Sequence, residues 1–162
     1  CGCLAVNPSD MANILYCLDA RIVTNQRTIS AEEFFGIHTR VWEVLEPGEI
    51  VKEVVVPRLP EGAVAGYDKF RLRKSIDFAV LAVAGYYCVK DGVVKSASLV
   101  LGAAAPVPMK LTEVEEYLIG RKLTEDTAKE AAELAMKRAI PLEMNSYKIH
   151  IAKTMIRRFL GF

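Results

Sequence analysis

Two adjacent polar residues, Ser9 and Asp10, stand where the sequence predicts the start of a helix. Apolar residues recur at helical spacing over positions 11–18, and either Asn7 or Ser9 can cap that helix. The free amides of a helix N-terminus can hold an anion, and a hydroxyl and a carboxylate beside them can bind sugar-like hydroxyl groups. Ordinary helix capping explains the same residues, so a cap and a binding site both stand as interpretations.

The sequence has one basic cluster, which consists of Lys69, Arg71, Arg73 and Lys74. In an extended strand the first three would lie on one side, with Phe70 and Leu72 on the other, which is the pattern of a half-buried strand. A solvated strand face therefore explains the cluster. A lysine that enters a strand beside a glycine-rich linker could instead reach a phosphate or the edge of a flavin ring. Asp77, shortly after, is a candidate turn acceptor or ion-pair partner for Arg73.

The elements that must position these residues centre on two long apolar runs, residues 78–89 and 93–105, joined at Asp91 and Gly92. A dipeptide of this type tolerates positive φ and favours a tight hairpin turn. The runs therefore predict two adjacent antiparallel strands. Because both faces of these strands are apolar, other parts of the chain or a partner must cover both faces.

Shorter elements flank the hairpin, and together they predict an α+β fold. Before it we expect strands at 21–24, 27–29 and 50–56, a helical turn at 34–35 capped by Ser30, and a linker at 57–66. After it we expect three helices, starting near Thr112, Thr124 and residues 145–146, that cover one face of the hairpin. The second carries a stripe of alanines at positions 128, 131, 132, 135 and 139, so it can approach a sheet closely.

Composition excludes several classes of protein. The chain has 162 residues, of which 52% are hydrophobic, and its net charge is +1. Such a balance gives no electrostatic reason to expect nucleic acid or an anionic membrane surface as a partner. No apolar run reaches the roughly 18 residues of a spanning helix, and no signal peptide is visible. We therefore expect a soluble, cytoplasmic protein.

The cysteines and histidines assign no catalytic or metal site. Cys1 and Cys3 are spaced too tightly for the usual ferredoxin or zinc patterns, so free or buried thiols are favoured over metal ligands. Neither His38 nor His150 belongs to a catalytic constellation that local spacing could reveal. The glycine patterns of nucleotide-binding loops are absent as well. A chain that begins Cys-Gly-Cys directly before a helix looks like part of a longer polypeptide.

Several segments carry motifs that are weak singly but specific as a set. They lie at residues 45–50, 54–57, 67–79, 101–108, 115–120 and 147–150, with Arg157 and Arg158 near the end. In order and spacing they resemble the FAD-binding subunit of the xanthine dehydrogenase and carbon monoxide dehydrogenase family of molybdenum hydroxylases. The resemblance covers nearly the whole chain.

The resemblance implies two parts: residues 1–60 as the end of an FAD-binding α+β domain, and residues 61–162 as a small antiparallel sheet packed by helices. It implies FAD as the cofactor on this chain, with molybdopterin and 2Fe-2S clusters on a molybdenum subunit and an iron-sulfur subunit. Electrons would pass from the iron-sulfur clusters through FAD to NAD or another acceptor. The protein would then bind and tune the cofactor.

Residue by residue, the resemblance assigns four cofactor-binding positions. Ser9 and Asp10 match the helix start that contacts the ribityl and phosphate portion, Val51 matches an apolar position against the isoalloxazine, and Lys69 matches the lysine at the flavin.

The chain departs from the family in its flavin loops. The first glycine-rich loop is missing, and Cys1-Gly2-Cys3 stands where the second loop normally ends Gly-Gly-Asn. Because a dinucleotide held by two loops loses affinity when one is gone, an alternative is a docking module that binds partner subunits without flavin.

Overall fold

The apolar hairpin forms the centre of a four-stranded sheet. Its strands, β5 (Leu81–Lys90) and β6 (Val93–Gly102), pair antiparallel, and the turn between them has positive φ at Asp91 and Gly92. The predicted hairpin is confirmed, but its predicted outer ends at residues 78 and 105 are wrong. Phe78 is 76% exposed and lies outside the strand. Ala103 has a φ of 58°, which is incompatible with an extended strand, so β6 ends before it.

The computed structural model describes residues 5–36 and 44–162. The helices in these ranges are α1 (Asp10–Cys17), α2 (Ala31–Phe35), α3 (Thr112–Leu118), α4 (Glu125–Ala135) and α5 (Tyr147–Phe159). The remaining strands are β1 (Arg21–Thr24), β2 (Thr28–Ser30), β3 (Val51–Val55), β4 (Ala63–Phe70) and β7 (Met109–Lys110). Strands and helices thus combine in an α+β fold, as predicted.

The strands form two antiparallel sheets, in the orders β2-β1-β3 and β4-β5-β6-β7. The linker predicted at residues 57–66 is wrong in its second half, because β4 begins at Ala63 and pairs with β5 along its whole length. Gly66, taken as a linker residue, lies within β4 opposite Gly85. No helix within the two described ranges is long and apolar enough to cross a membrane.

Both faces of the β5–β6 hairpin are covered, as its composition requires. On one face, Leu81, Val83, Leu99 and Leu101 pack in one core with buried residues of α3, α4 and α5. The other face carries Ala84 and Val100, which pack against α1 through Cys17. Strand alternation directs odd positions of residues 81–87 and 97–101 to the three-helix face and even positions to α1. A register shift beside Cys88 and Val89 places Val94 in the three-helix core as well.

A close approach between α5 and the sheet fixes the position of that helix. The ring of Phe159 lies over the paired glycines Gly66 and Gly85 and meets Tyr87 edge to face at 5.7 Å. A Cβ atom added at Gly85 would lie 2.6 Å from Cζ of Phe159 and 3.0 Å from the carbonyl oxygen of Ser98. Only glycine therefore admits the ring at this depth.

The predicted helix starts are confirmed, and three of the described helices have a side-chain cap. The hydroxyl oxygens of Ser9, Ser30 and Thr124 accept hydrogen bonds from backbone amides in the first turns of α1, α2 and α4. Thr112 is not a cap: it lies inside α3, which begins after Leu111 without a side-chain cap. The alanine stripe of α4 is buried at positions 128, 131 and 132, whereas Ala139 is exposed and lies beyond the helix end.

We expect Gly85→Ala to destabilise the protein by about 1–3 kcal/mol, because the new methyl group overpacks the contact with Phe159. Denaturant unfolding of the variant measures the loss. Phe159→Leu alone and the double variant complete a cycle, in which the smaller side chain should relieve part of the Gly85→Ala penalty. Strictly additive losses would contradict the proposed contact.

Candidate functional site

The structure joins Asp10 to two residues of β4 almost sixty positions away. The Asp10 carboxylate accepts a 2.6 Å hydrogen bond from the Tyr67 hydroxyl through Oδ1 and a 2.8 Å bond from Lys69 Nζ through Oδ2. The Lys69 side chain is 20% exposed and that of Asp10 is 40% exposed. A charged pair thus lies at the protein surface with one side still open to solvent.

The two elements explain why these side chains meet. Tyr67 and Lys69 are two positions apart in β4, so they project from the same face of the sheet. That face is the one that α1 covers, because Tyr67 also packs against Ala84 in the cluster that contains Cys17. Asp10 is in the first turn of α1 and therefore stands at the end of the helix beside β4.

Ser9 has the geometry of an N-cap, and its hydroxyl hydrogen is still available to donate a hydrogen bond. Its Oγ accepts a 3.2 Å bond from the backbone amide of Ala12, while its own backbone amide donates to Oδ1 of Asn7. The serine hydroxyl retains one hydrogen that it can donate. The capping interpretation is therefore confirmed for Ser9, and the cap leaves a donor available beside the Asp10 carboxylate.

The electrostatics of the site favour a charged carboxylate. Partial burial would raise the pKa of the Asp10 carboxyl, but the hydrogen bonds from Lys69 and Tyr67 and the lysine charge hold that pKa below its usual value of 3.8. Burial and the bond to the Asp10 carboxylate raise the pKa of Tyr67. At neutral pH the group is therefore an anionic carboxylate held by a cation and a neutral phenol.

The arrangement around β4 corrects the expected strand pattern. One of the two interpretations places Lys69, Arg71 and Arg73 on a solvated strand face opposite Phe70 and Leu72, but β4 ends at Phe70 and the arginines lie in the following loop. Phe70 is 41% exposed, whereas Lys69 faces α1. The helix packed on that face, which strand alternation alone does not reveal, reverses the expected burial.

Asp77 plays both of the predicted parts in the loop after β4. Its carboxylate accepts from the Arg73 backbone amide and from the Arg73 guanidinium, each at 3.0 Å. These bonds, the guanidinium bond foremost, lower the pKa of Asp77 to about 2. Three apolar side chains of the loop project into solvent: Leu72 is 81% exposed, Ile76 96% and Phe78 76%.

Val51 lies in a different sheet from the Asp10 group. It begins β3, pairs with Thr24 and is 43% exposed, and it makes no hydrogen bond to Ser9, Asp10 or Lys69. The structure therefore joins three of the four predicted cofactor-binding residues and places the fourth on the exposed surface of the β2-β1-β3 sheet.

Glu49, which the sequence did not single out, holds the turn before Val51. Its carboxylate accepts hydrogen bonds from the Thr24 hydroxyl at 2.7 Å, the Arg27 guanidinium at 3.0 Å and the Glu46 amide at 2.8 Å. The guanidinium bond is the main reason why the pKa of Glu49 falls to about 2. The motif at residues 45–50 includes this segment, but nothing local identified the partners of Glu49.

A second feature absent from the sequence prediction lies behind the helix start. Asn13 is 1% exposed, and neither atom of its side-chain amide has a hydrogen-bond partner in the described part of the chain. A Cβ atom at Gly102 would lie 1.8 Å from Asn13 Nδ2. The glycine in the segment 101–108, which contributed to the family resemblance, thus makes room for this asparagine.

The cysteine and histidine predictions fall partly outside the described residues. Cys1, Cys3 and His38 lie there, and His150 is exposed on α5. Cys17 is a buried thiol that donates to the Ser98 carbonyl oxygen, and burial raises its pKa to about 11. Among residues 5–36 and 44–162, no group of three or more acidic, histidine or cysteine side chains is arranged to hold a metal ion.

Comparison with known proteins decides the family. Residues 65–161 match the family described as the CO dehydrogenase flavoprotein C-terminal domain. The chain belongs to this family. The matched range contains the whole β4-β5-β6-β7 sheet except the first two residues of β4, and it contains α3, α4 and α5. The resemblance inferred from the sequence motifs is therefore confirmed.

Relatives of this flavoprotein family extend the match to the rest of the chain. Aldehyde oxidoreductase FAD-binding subunit PaoB of Escherichia coli is 30% identical over 169 residues, which cover 99% of this chain and 49% of that protein. Glyceraldehyde dehydrogenase medium chain of Sulfolobus acidocaldarius is 32% identical over 129 residues, covering 76% of this chain and 44% of that protein. The chain spans about half the length of these curated relatives.

Solved structures of other proteins share the architecture. Quinoline 2-oxidoreductase from Pseudomonas putida 86 superposes with a TM-score of 0.83 at 25% identity, over 96% of this chain and 56% of that one. The carbon monoxide dehydrogenase of Hydrogenophaga pseudoflava gives a TM-score of 0.83 at 26% identity, over 95% and 56%. The likeness therefore includes the region around α1 as well as the matched C-terminal residues.

The Asp10 ion pair predicts a pH-dependent contribution to stability. The pKa of the Asp10 carboxyl is lower in the folded protein than its ordinary value of 3.8. The stability that the ionised carboxylate contributes is therefore fully present above pH 3.8, and it is lost as the pH falls through the pKa of the folded protein. Asp10→Asn should therefore cost stability at neutral pH, by about 1 kcal/mol or less because the pair is partly exposed. The cost should shrink below pH 3.8.

Chemical denaturation of the wild type and Asp10→Asn across this pH range measures the difference. The same substitution in a Lys69→Met background serves as the control, since most of the pH dependence should disappear there. An unchanged pH dependence without the lysine would contradict the assigned cause.

Proposed function

We propose that this chain contributes to the FAD site of a flavin-binding medium subunit and takes part in electron transfer within a molybdenum hydroxylase complex. The observation that carries this proposal is the Asp10 carboxylate, held by Lys69 and Tyr67 at the capped start of α1. The family match supports it, because one relative is named as an FAD-binding subunit of an aldehyde oxidoreductase.

The donor and acceptor groups fit the polar part of a flavin dinucleotide. A carboxylate has about four lone-pair positions, so Asp10 can accept from ligand hydroxyls while it keeps both protein bonds. The Ser9 hydroxyl can donate to a hydroxyl or phosphate oxygen, and the Lys69 ammonium has donors beyond the one that Asp10 uses. Ser9, Asp10 and Lys69 would thus bind the ribityl, phosphate and ring-edge atoms.

Val51 would supply an apolar contact for the isoalloxazine ring. Its side chain is partly exposed on a strand whose five residues are all exposed, so the surface is accessible. The Glu49 carboxylate would keep the preceding turn rigid. When bound, FAD supplies the chemistry of accepting and passing on electrons, and this chain binds and orients the cofactor.

The wider arrangement belongs to the same proposal. Residues 1–60 would complete an FAD-binding domain, and residues 61–162 would form a C-terminal domain that packs against it. Partner subunits would carry molybdopterin and 2Fe-2S clusters, and NAD or another acceptor would take electrons from FAD in a cytoplasmic complex. The substrate would be set by the molybdenum subunit.

One observation favours a second candidate, a docking module without flavin. The loop after β4 exposes Leu72, Ile76 and Phe78 beside Arg73, and such exposed apolar groups suit a protein interface. This candidate requires no ligand on Asp10 or Lys69, so flavin binding separates the two.

Incubation of the purified protein with FAD, followed by removal of free cofactor, tests the first proposal. We expect flavin absorbance to remain with the protein in proportion to its concentration. A colourless protein would contradict flavin binding by these residues and leave the docking module as the function. The untreated protein serves as the reference for flavin acquired during expression.

Lys69→Ala in the full-length natural protein tests the role of the lysine. Loss of a charged donor should weaken FAD binding about tenfold or more or shift the flavin reduction potential. Lys110→Ala is a matched control, because the Lys110 side chain is 22% exposed and pairs with Asp19 at 2.7 Å, much as Lys69 pairs with Asp10. Equal effects of the two substitutions on flavin content and spectrum would contradict the assignment.

A further inference from the structure

A cavity of about 280 Å³ lies between the end of α4, the start of α5 and the sheet. This volume is close to the lower end of ligand pockets, about 300–1,000 Å³. Its walls are largely apolar and include Leu81, Leu101, Met136, Ile149 and Ala152. None of the proposed flavin-binding residues lines it, so the cavity is separate from the Asp10 group.

Two cations line this apolar cavity, Arg138 and Lys148, and Arg138 is paired with Glu113. Lys148 stands in the first turn of α5, and its Nζ donates a 3.1 Å hydrogen bond to the Ala103 carbonyl oxygen. No carboxylate in residues 5–36 and 44–162 lies within ion-pair distance of this ammonium group. Burial lowers the pKa of Lys148, and no acidic neighbour offsets that effect. An ammonium has three donors, so two remain for a ligand.

The other polar side chains of the cavity, Arg138 and Asn145, each have a protein partner. The Arg138 guanidinium pairs with Glu113 at 2.6 Å and its side chain is 85% exposed, which places its charge toward the mouth. The Asn145 side-chain oxygen accepts a 2.6 Å bond from the Leu142 amide. Ile140, 90% exposed, adds an apolar residue to the lining. Lys148 is therefore the group best placed to bind an anion inside.

We propose that this cavity binds a small monocarboxylate with an apolar body, whose carboxylate accepts hydrogen bonds from Lys148 while its hydrocarbon part lies against the apolar walls. The ammonium supplies a charge-assisted hydrogen bond, which is stronger than a neutral one, and the apolar walls favour a hydrocarbon body over a polar one. A dianion or phosphate fits less well, since a single available cation faces it.

Isothermal titration of the full chain with hexanoate and with 1-hexanol tests the proposal without any substitution. We expect hexanoate to bind with a Kd near or below about 1 mM, and the uncharged alcohol to bind about tenfold more weakly. Equal affinity for the two compounds, or no heat from hexanoate well above that concentration, would overturn the proposal.

Lys148→Met tests the residue itself, with Lys129→Met on the exposed surface of α4 as the matched control. Hexanoate affinity should fall about tenfold in Lys148→Met while the weak affinity for 1-hexanol stays the same, and the control should bind like wild type. Unchanged hexanoate affinity in a folded Lys148→Met protein would overturn the role of Lys148. Should that variant fail to fold, the affinities of the unmodified protein for hexanoate and 1-hexanol decide whether the cavity recognises the carboxylate.

Discussion

The β5–β6 hairpin must be covered on both faces, and the rest of the described structure depends on this constraint. Its alternating side chains bury Leu99 and Leu101 against three helices on one face and Val100 against α1 on the other. A single layer of helices would leave one apolar face in water, at a cost of about 25 cal/mol for each Å² exposed. Helix α1, which is distant in sequence, is therefore held against the sheet.

The candidate flavin site follows from this packing. Once α1 covers the even-numbered face of the hairpin, its first turn meets the face of β4 from which Tyr67 and Lys69 project. Tyr67 belongs both to the packed interface with α1 and to the Asp10 group, since its ring packs with the cluster that contains Cys17 and its hydroxyl donates to Asp10. One tyrosine thus connects the packed core to the Asp10 carboxylate of the candidate site. The ion pair is preorganised by the fold, and a ligand would find its partners already in place.

Much of the fold could be predicted from local patterns, because the signals are local. The turn at Asp91 and Gly92, the cap at Thr124 and the strand at residues 21–24 each depend on residues close in sequence. Ser9, Asp10 and Lys69 were singled out by position and by family resemblance. Local patterns alone favoured a helix cap for Ser9 and Asp10, and they explained Lys69 by a solvated strand face as well as by a ligand contact.

The parts that could not be predicted depend on contacts between distant residues. Strand alternation placed Lys69 in solvent, because no local pattern shows that α1 lies over that face of β4. Gly66 looked like a linker residue, whereas in β4 it pairs with Gly85 and lies beside the ring of Phe159, ninety-three positions later. The absence of a side chain at Gly102 is likewise explained only by the buried amide of Asn13, which occupies that space.

We propose that the Asp10–Lys69 pair contacts FAD directly. Side-chain NMR signals of the Asp10 carboxyl carbon and the Lys69 ammonium nitrogen, followed during titration with FAD, test it most directly. We predict that both signals shift with flavin binding, while those of the comparable Asp19–Lys110 pair stay in place. Flavin binding that leaves the Asp10 and Lys69 signals unchanged would contradict the claim.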